Sequence, residues 1–396
     1  MSTRVRSGSL SSRAPHQILT LDQLNRATLV RQLLLERAPG PPTVPIARAL
    51  EQIGGLQAQE PASPYIGLWS RLADFDAREL VRAFASRDVV KATLMRSTLH
   101  AVSAADYRRL LPAILPMLRA IRRQDRIQPP EPAHLRRLMQ VAAAFTNEPR
   151  TLTDLRDHLG EHGEHVPPEE ILWWLRRHAT FVHAPSDVPW SFGRRPRVVD
   201  AEAWLVDGAF ADVDAALEHL VRRYLGAFGP ASVADVASWS GIAVGRLRPT
   251  IERLDQAGEL RRFLDPRGRD LIDLDGAALP DPAIDAPPRL LPMWDSVLLA
   301  FADRTRIISD ADRALVIAKN GDTLPSFTLD GRVAGLWWAE AEPGGRTRVV
   351  LEPFRRLGRS DRQALESEGD RLAAFVEPLE PRVYGRYRRS RARRTV

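Results

Sequence analysis

Apolar positions in this chain fall into short helical runs broken by turn residues, and one order of elements repeats. A helical pattern runs through "LDQLNRATLVRQLLLERA". In "TVPIARALEQIGG", Ile46, Leu50 and Ile53 recur four and three apart on one helix face, with Thr43 as a candidate cap and Gly54-Gly55 as a stop. "SPYIGLWSRL" starts another helix after Pro61 and Pro64. "DARELVRAFASRD" fits a third, with Leu80 and Phe84 four apart. "VVKATLMRSTLHAVS" then reads as extended. Helix, tight turn, helix, helix, strand is the order of a winged helix-turn-helix module.

That order returns twice. "TLTDLRDHLGEHGEHVPPEEILWWLRRHATFVHA" predicts a helix over 152–159, a Gly-rich turn and a second helix from near Pro168. "VPWSFGRRPRVVD" follows as a wing carrying Arg194, Arg195 and Arg197. In the third copy, Ser232 and Asp235 have capping-box spacing, Gly241 marks the turn, and Val244, Leu247, Ile251 and Leu254 space as a helix. Pro249 interrupts that helix, which predicts a late start near Arg248. "ELRRFLDPRGRDLIDL" is a hairpin with Arg267 and Arg269 at its tip. Beyond it, "LLPMWDSVLLAFADRTRII" reads as strands. Asp330-Gly331 and Gly344-Gly345 signal hairpins, and "SDRQALESEGDRLAAFV" a closing helix.

These patterns predict an α+β fold of three tandem winged helix-turn-helix motifs with a β-rich C-terminal part. Residues 1–20 are expected to be disordered. Modules occupy 21–130, 131–205 and 206–276, a proline-rich linker 277–292, an α+β domain 293–380 and a basic tail 381–396.

Composition narrows the chemistry. The absence of cysteine removes thiol catalysis and cysteine-ligated zinc. No apolar run reaches the ~18 residues of a membrane span, and the N-terminus lacks a secretory h-region, so the cytoplasm is the expected compartment. Net charge is +7, and the last sixteen residues hold seven arginines, so residues 1–380 are near neutral. Tyr384 and Tyr387 interleave with those arginines, Arg388 and Arg389 among them, a pattern for phosphate contact with base stacking or for a solvated tail.

His158, Glu161 and His162 match an H-x-x-E-H zinc pattern, with His165 as a possible third ligand. Both histidines would need one intact helix, and Gly160 and Gly163 break the segment, so no metal or other cofactor is expected. There is no phosphate-binding GxxxxGK loop and no GxSxG elbow. Neither lysine, Lys91 or Lys319, lies in an obvious pocket sequence.

Two features remain. Alternation in "VVKATLMRSTLHAV" carries Val90, Ala92 and Leu94 onto the same face as Arg96, Thr98 and His100, unless a bulge at Ser97 changes the register. This is either a surface strand end or a cationic, hydrogen-bonding edge beside a site. In "IGGLQAQEP", Gln57 and Gln59 would point the same way if extended, with Ala58 in the core. Such a pair could cap a helix, contact phosphate or hold one water between them.

"GGLQAQEPASPYIGLWSRL" followed by "VVKATLMRSTLHAV" resembles the AlkZ-like winged-helix DNA glycosylases, the family of azinomycin-resistance and interstrand-crosslink glycosylases. "YLGAFGPASVADVASWSGI", "LLPMWDSVLLAFADRTRII" and "FTLDGRVAGLWW" are similar to later segments of that family, in its order. The resemblance spans roughly 25–375 and implies a C-shaped body of three tandem winged-helix motifs. It implies excision of N7-alkylguanine from double-stranded DNA, with a Q-x-Q motif carried here by Gln57 and Gln59. A related branch has Asp in the second place, which implies a water-activating role there.

Amides suit that reaction. Alkylation at N7 makes the purine a cation and a good leaving group, so the C1′–N9 bond breaks through an oxocarbenium-like state. Positioning a water and aiming amide oxygens at developing positive charge can then suffice. With no nucleophilic lysine in view, a monofunctional enzyme is expected, and a monomer is the default oligomeric state. Arg96, Thr98, His100, Arg194, Arg195, Arg267, Arg269, Arg388 and Arg389 are the candidate DNA contacts. The alternative is a non-catalytic winged-helix regulator or a protein that sequesters damaged DNA, since winged-helix folds mostly read DNA without cutting it.

Overall fold

The computed structural model describes residues 17–121, 131–162, 167–193, 195–205 and 208–387. Ile18 bridges to Leu264 and Leu19 is buried, so residues within the stretch expected to be disordered are packed onto the fold. Residues 1–16, His165, Arg194, Arg388 and Arg389 lie outside the described residues.

The first unit holds α1 (Leu21–Arg31), β1 (Ala38–Pro39), α2 (Ile46–Ile53), β2 (Leu56–Gln57), α3 (Ala62–Trp69), β3 (Leu72–Ala73) and α4 (Ala77–Ala85). A hairpin of β4 (Val89–Thr93) and β5 (Leu99–Ser103) follows, then α5 (Ala104–Ala120). The single extended strand expected over 89–103 is thus a hairpin. Arg96 and Ser97, with φ of 54° and 59°, turn the chain in the left-handed region. Thr43 does not cap α2, whose N-cap is Pro45.

The second unit has α6 (Pro132–Phe145), β6 (Arg150–Thr151), α7 (Leu152–Gly160), α8 (Pro168–His178), β7 (Phe181–Ala184), β8 (Arg197–Asp200) and α9 (Ala201–Trp204). Its hairpin does not stand alone. Lys91 pairs with His183 and Ala92 with Val182, giving one six-stranded sheet in the order β2-β5-β4-β7-β8-β6.

The third unit has α10 (Val213–Phe228), α11 (Val233–Ser240), α12 (Val244–Gln256) and the hairpin β9 (Leu260–Leu264) with β10 (Asp270–Leu274). The Ser232–Asp235 capping box forms, and Gly241 ends α11 at φ 81°. Contrary to the expected late start, α12 begins at Val244 and contains Pro249. Proline removes the bond to the Gly245 carbonyl and crowds it. Both residues are exposed, so water can take that carbonyl's lost bond.

The C-terminal part comprises β11 (Arg289–Leu291), α13 (Ser296–Leu299), α14 (Asp310–Val316), β12 (Ser326–Leu329), β13 (Arg332–Ala341), β14 (Thr347–Pro353) and α15 (Arg359–Val376). The four strands pair in sequence order, with hairpins at the two glycine-marked turns. The apolar run after Arg289 is strand only as far as Leu291. Asp295 then caps α13 by accepting from the Val297 N–H, converting the expected strand into a helical turn. Arg289–Leu291, at the end of the proline-rich stretch, is fully buried strand rather than linker.

Polar anchors join these parts. Arg71, between α3 and β3, makes a bidentate pair with Asp295 at 2.8 and 2.9 Å, both side chains fully buried. Arg31 of α1 pairs with Asp273 of β10 at 2.7 and 2.8 Å. Breaking such a pair by removing one partner strands a buried charge and costs about 3–5 kcal/mol.

Candidate functional site

The chain reaches Gln57 through a turn that favours glycine. Gly54 ends α2 at φ 75° and Gly55 follows at 79°. A Cβ on Gly55 would stand 2.7 Å from Val102 Cγ1. This close approach lets β2 pair at once with β5, Leu56 opposite Ala101 and Gln57 opposite His100. The Ala58 N–H donates to the Leu99 carbonyl at 2.7 Å, and Ala58 is buried as expected.

The two amides have different settings. Gln57 is buried, and its Oε1 accepts from Arg96 Nη2 at 3.1 Å. Arg96 Nη1 donates to the Trp239 carbonyl at 2.6 Å. The turn after α11 presses on this hairpin tip: a Cβ on Gly241 would lie 3.3 Å from Arg96 N and Cα. The Gln57 oxygen is thereby held between the β4–β5 hairpin and the turn from α11 to α12. Burial and the nearby Arg304 cation lower the Arg96 pKa to about 10, which leaves it charged at neutral pH.

Gln59, by contrast, is exposed. It lines a cavity of about 600 Å³ together with Lys91, Arg176, His183, Trp190 and Phe192. Gln57 does not line this cavity, so the two amides do not open onto one space as a continuous extended segment would have them. The reason is the register: β2 ends at Gln57, and the chain turns out toward α3 before Gln59.

The other candidates separate in the same way. His100 is 2% exposed. Its Nδ1–H donates to the Thr98 carbonyl at 3.0 Å, and burial with the Arg96 charge drives its pKa to about 3. His100 is therefore buried and neutral, opposite Gln57 in the sheet, so a charged contact with DNA is not open to it. Thr98 is half-buried and donates its hydroxyl to the Met95 carbonyl. Arg195 is exposed. Arg267 and Arg269 reach solvent but pair with Asp303 at 3.1 and 2.5 Å, and Arg269 also with Asp265. Tyr384 is buried, its hydroxyl 2.8 Å from Ser63 Oγ, and Tyr387 donates to Glu60 at 2.7 Å. The start of the tail is thus packed onto the first unit, which removes both tyrosines from the expected stacking role.

Lys91 is the residue that sequence reasoning passed over. Its signal was faint: a lone lysine in the otherwise apolar "VVKATL". It is 5% exposed, lines the cavity, and has Nζ 4.4 Å from the Phe192 ring centroid. Burial pulls its pKa down from 10.5 to about 8. Its register partner His183 is held near 3, first by burial and then by the Lys91 charge.

The zinc-like pattern is closer to assembled than its glycines suggested. Helix α7 runs through Gly160, and possible ligand atoms of His158, Glu161 and His162 lie within 4.8 Å of one another. His158 stacks on Phe145 with centroids 4.0 Å apart, and His162 Nδ1 bonds the His158 carbonyl at 2.9 Å. None of the three lines the cavity beside Gln59. Among the described residues, no helix is long and apolar enough to cross a membrane.

No curated protein sequence matches this chain. A solved structure, the Streptomyces sahachiroi DNA glycosylase AlkZ, is similar in fold, with a TM-score of 0.76 and 21% identity over 93% of this chain and 99% of that one. The family model described as DNA glycosylase AlkZ-like matches residues 50–375, a span that includes Gln57, Gln59, Arg96 and the cavity-lining Lys91. On that match, which covers most of the sequence, the chain belongs to the AlkZ-like DNA glycosylase family.

Proposed function

We propose that this DNA glycosylase hydrolyses the N-glycosidic bond of N7-alkylated guanine in double-stranded DNA, with Gln57 and Gln59 as its catalytic amides. Its substrates would be bulky adducts or interstrand crosslinks left by DNA-alkylating antibiotics, and it would act as a monomer on the nucleoid, in alkylation repair or self-resistance. The observation that carries the reading is the Arg96 clamp on a motif amide inside the family-matched span.

The clamp divides the labour. With Oε1 of Gln57 turned to a cation, its NH₂ group is the end that can meet substrate or water. Gln59 is exposed and can offer its oxygen to the attacking water and to positive charge growing at C1′. The C1′–N9 electron pair leaves with the base and neutralises its N7 cation. Water then bonds to C1′ and gives up a proton. Because the leaving group is already activated, no strong base is required, which is why neutral amides suffice.

The test is base release from a duplex holding one N7-methylguanine, with wild type beside the Gln57→Ala, Gln59→Ala double variant. Release is expected from wild type and not from the variant, with DNA affinity nearly unchanged. A wild type inactive on this lesion and on a bulky antibiotic adduct would favour a non-catalytic binder.

A further inference from the structure

We propose that Lys91 gives this enzyme a second activity, cleavage of the DNA strand at the abasic site that base excision leaves. The inference rests on the reading that the Gln59 side of the motif faces the sugar.

Four observations converge on this residue. Only two of the 57 basic residues are lysines, and Lys319 is exposed. Lys91 is enclosed instead, and the contact of its amine is an aromatic ring rather than a carboxylate. Its amine lies over the Phe192 ring in the cavity that Gln59 also lines. An arginine at that place would stay charged, whereas a desolvated lysine can present a neutral, nucleophilic amine. Burial lowers its pKa to about 8, so a usable neutral fraction exists near physiological pH. The expectation of a monofunctional enzyme assumed that no lysine lay in a pocket, and the fold removes that assumption.

The chemistry closes on groups in the cavity. The Lys91 amine adds to the C1′ aldehyde of the ring-opened deoxyribose, and loss of water gives an imine. A carboxylate of the cavity wall, Glu60 or Glu380, takes the C2′ proton. The C3′–O3′ bond then breaks, and the phosphate leaves with the electron pair. Water hydrolyses the unsaturated imine, returning the Lys91 amine and an unsaturated aldehyde on the 3′ end. The water lost at imine formation is regained at hydrolysis, and no oxidant or reductant takes part.

The experiment incubates the full-length protein with a duplex containing one preformed abasic site, with and without borohydride. A reduced protein–DNA adduct is expected, mapping by peptide mass to Lys91, together with strand incision when borohydride is omitted. Lys91→Arg should bring both to background. No adduct from folded wild type, or an adduct that maps elsewhere, would overturn the proposal. Peptide mapping uses wild type alone, so a variant that fails to fold leaves the test intact. A preformed abasic site bypasses excision, so failure on N7-methylguanine and failure to trap remain separate results.

Discussion

The two faces of the six-stranded sheet do different things with the same kind of residue. On one face, Ala92, Val102 and Val182 sit in an apolar core, and the polar groups at its end, Gln57, His100 and Arg96, are tied to one another or to backbone. On the other face, Lys91 and His183 meet a cavity of about 600 Å³, where the lysine amine is enclosed over the Phe192 ring. The first face fixes an orientation. The second keeps an amine desolvated at a cost in stability. On the first face Arg96 and His100 hold the Gln57 amide in place, and on the second an enclosed amine without such ties points to chemistry of its own.

The strongest way to break this contrast is to remove the amides singly. Gln57→Ala and Gln59→Ala are each expected to lower the single-turnover rate of base release about 10²-fold or more. If only Gln59→Ala did so, Gln57 would be a structural member of the clamped face.

Stability should separate the faces next. Lys91→Met removes a desolvated cation and is expected to raise stability at pH 7 by on the order of 3 kcal/mol. The sign follows from the lowered native pKa, about 8 against 10.5. Below pH 8 both states carry the proton and the penalty is fully present. Between about 8 and 10.5 only the unfolded chain binds it, so the native wild type gains stability as pH rises. Chemical denaturation across that range should show the gap between variant and wild type closing.

Arg96→Lys should act through Gln57. A drop of about tenfold in kcat with little change in KM is expected, because a point charge cannot span Gln57 and the Trp239 carbonyl as the guanidinium does. Adding Gln57→Ala in that background should cost less than it does in wild type. Full additivity would detach Arg96 from the amide.

The smallest effect is expected at the third hairpin. Arg267 and Arg269 already share Asp303, so Arg267→Ala with Arg269→Ala should change the slope of log affinity against log salt by less than about one. A larger change would show that DNA displaces the aspartate.

Much of the fold was legible because local signals agreed. The Ser232 capping box, the Gly241 stop and the Asp330-Gly331 hairpin each follow from short-range chemistry, and each formed. Where local signals conflicted, tertiary context won. Pro249 stayed inside its helix because the affected carbonyl faces solvent, and the apolar run after Arg289 left its strand once Asp295 found both a cap and Arg71. For the site, the spacing of Gln57 and Gln59 and the burial of Ala58 could be read from the chain. The separation of the two amides could not, because it depends on where β2 stops pairing with β5.

The sequence by itself determined the helix and hairpin periods, the glycine stop before the amides and the family resemblance, all of which depend on neighbours within a few residues. Only the tertiary structure decided that the hairpins of the first two units share one sheet, that Arg96 clamps Gln57 against the third unit, and that Lys91 is enclosed in the cavity that Gln59 also lines. Those outcomes turn on long-range strand pairing and desolvation. Both depend on residues far apart in the chain, and neither leaves a periodic trace within it.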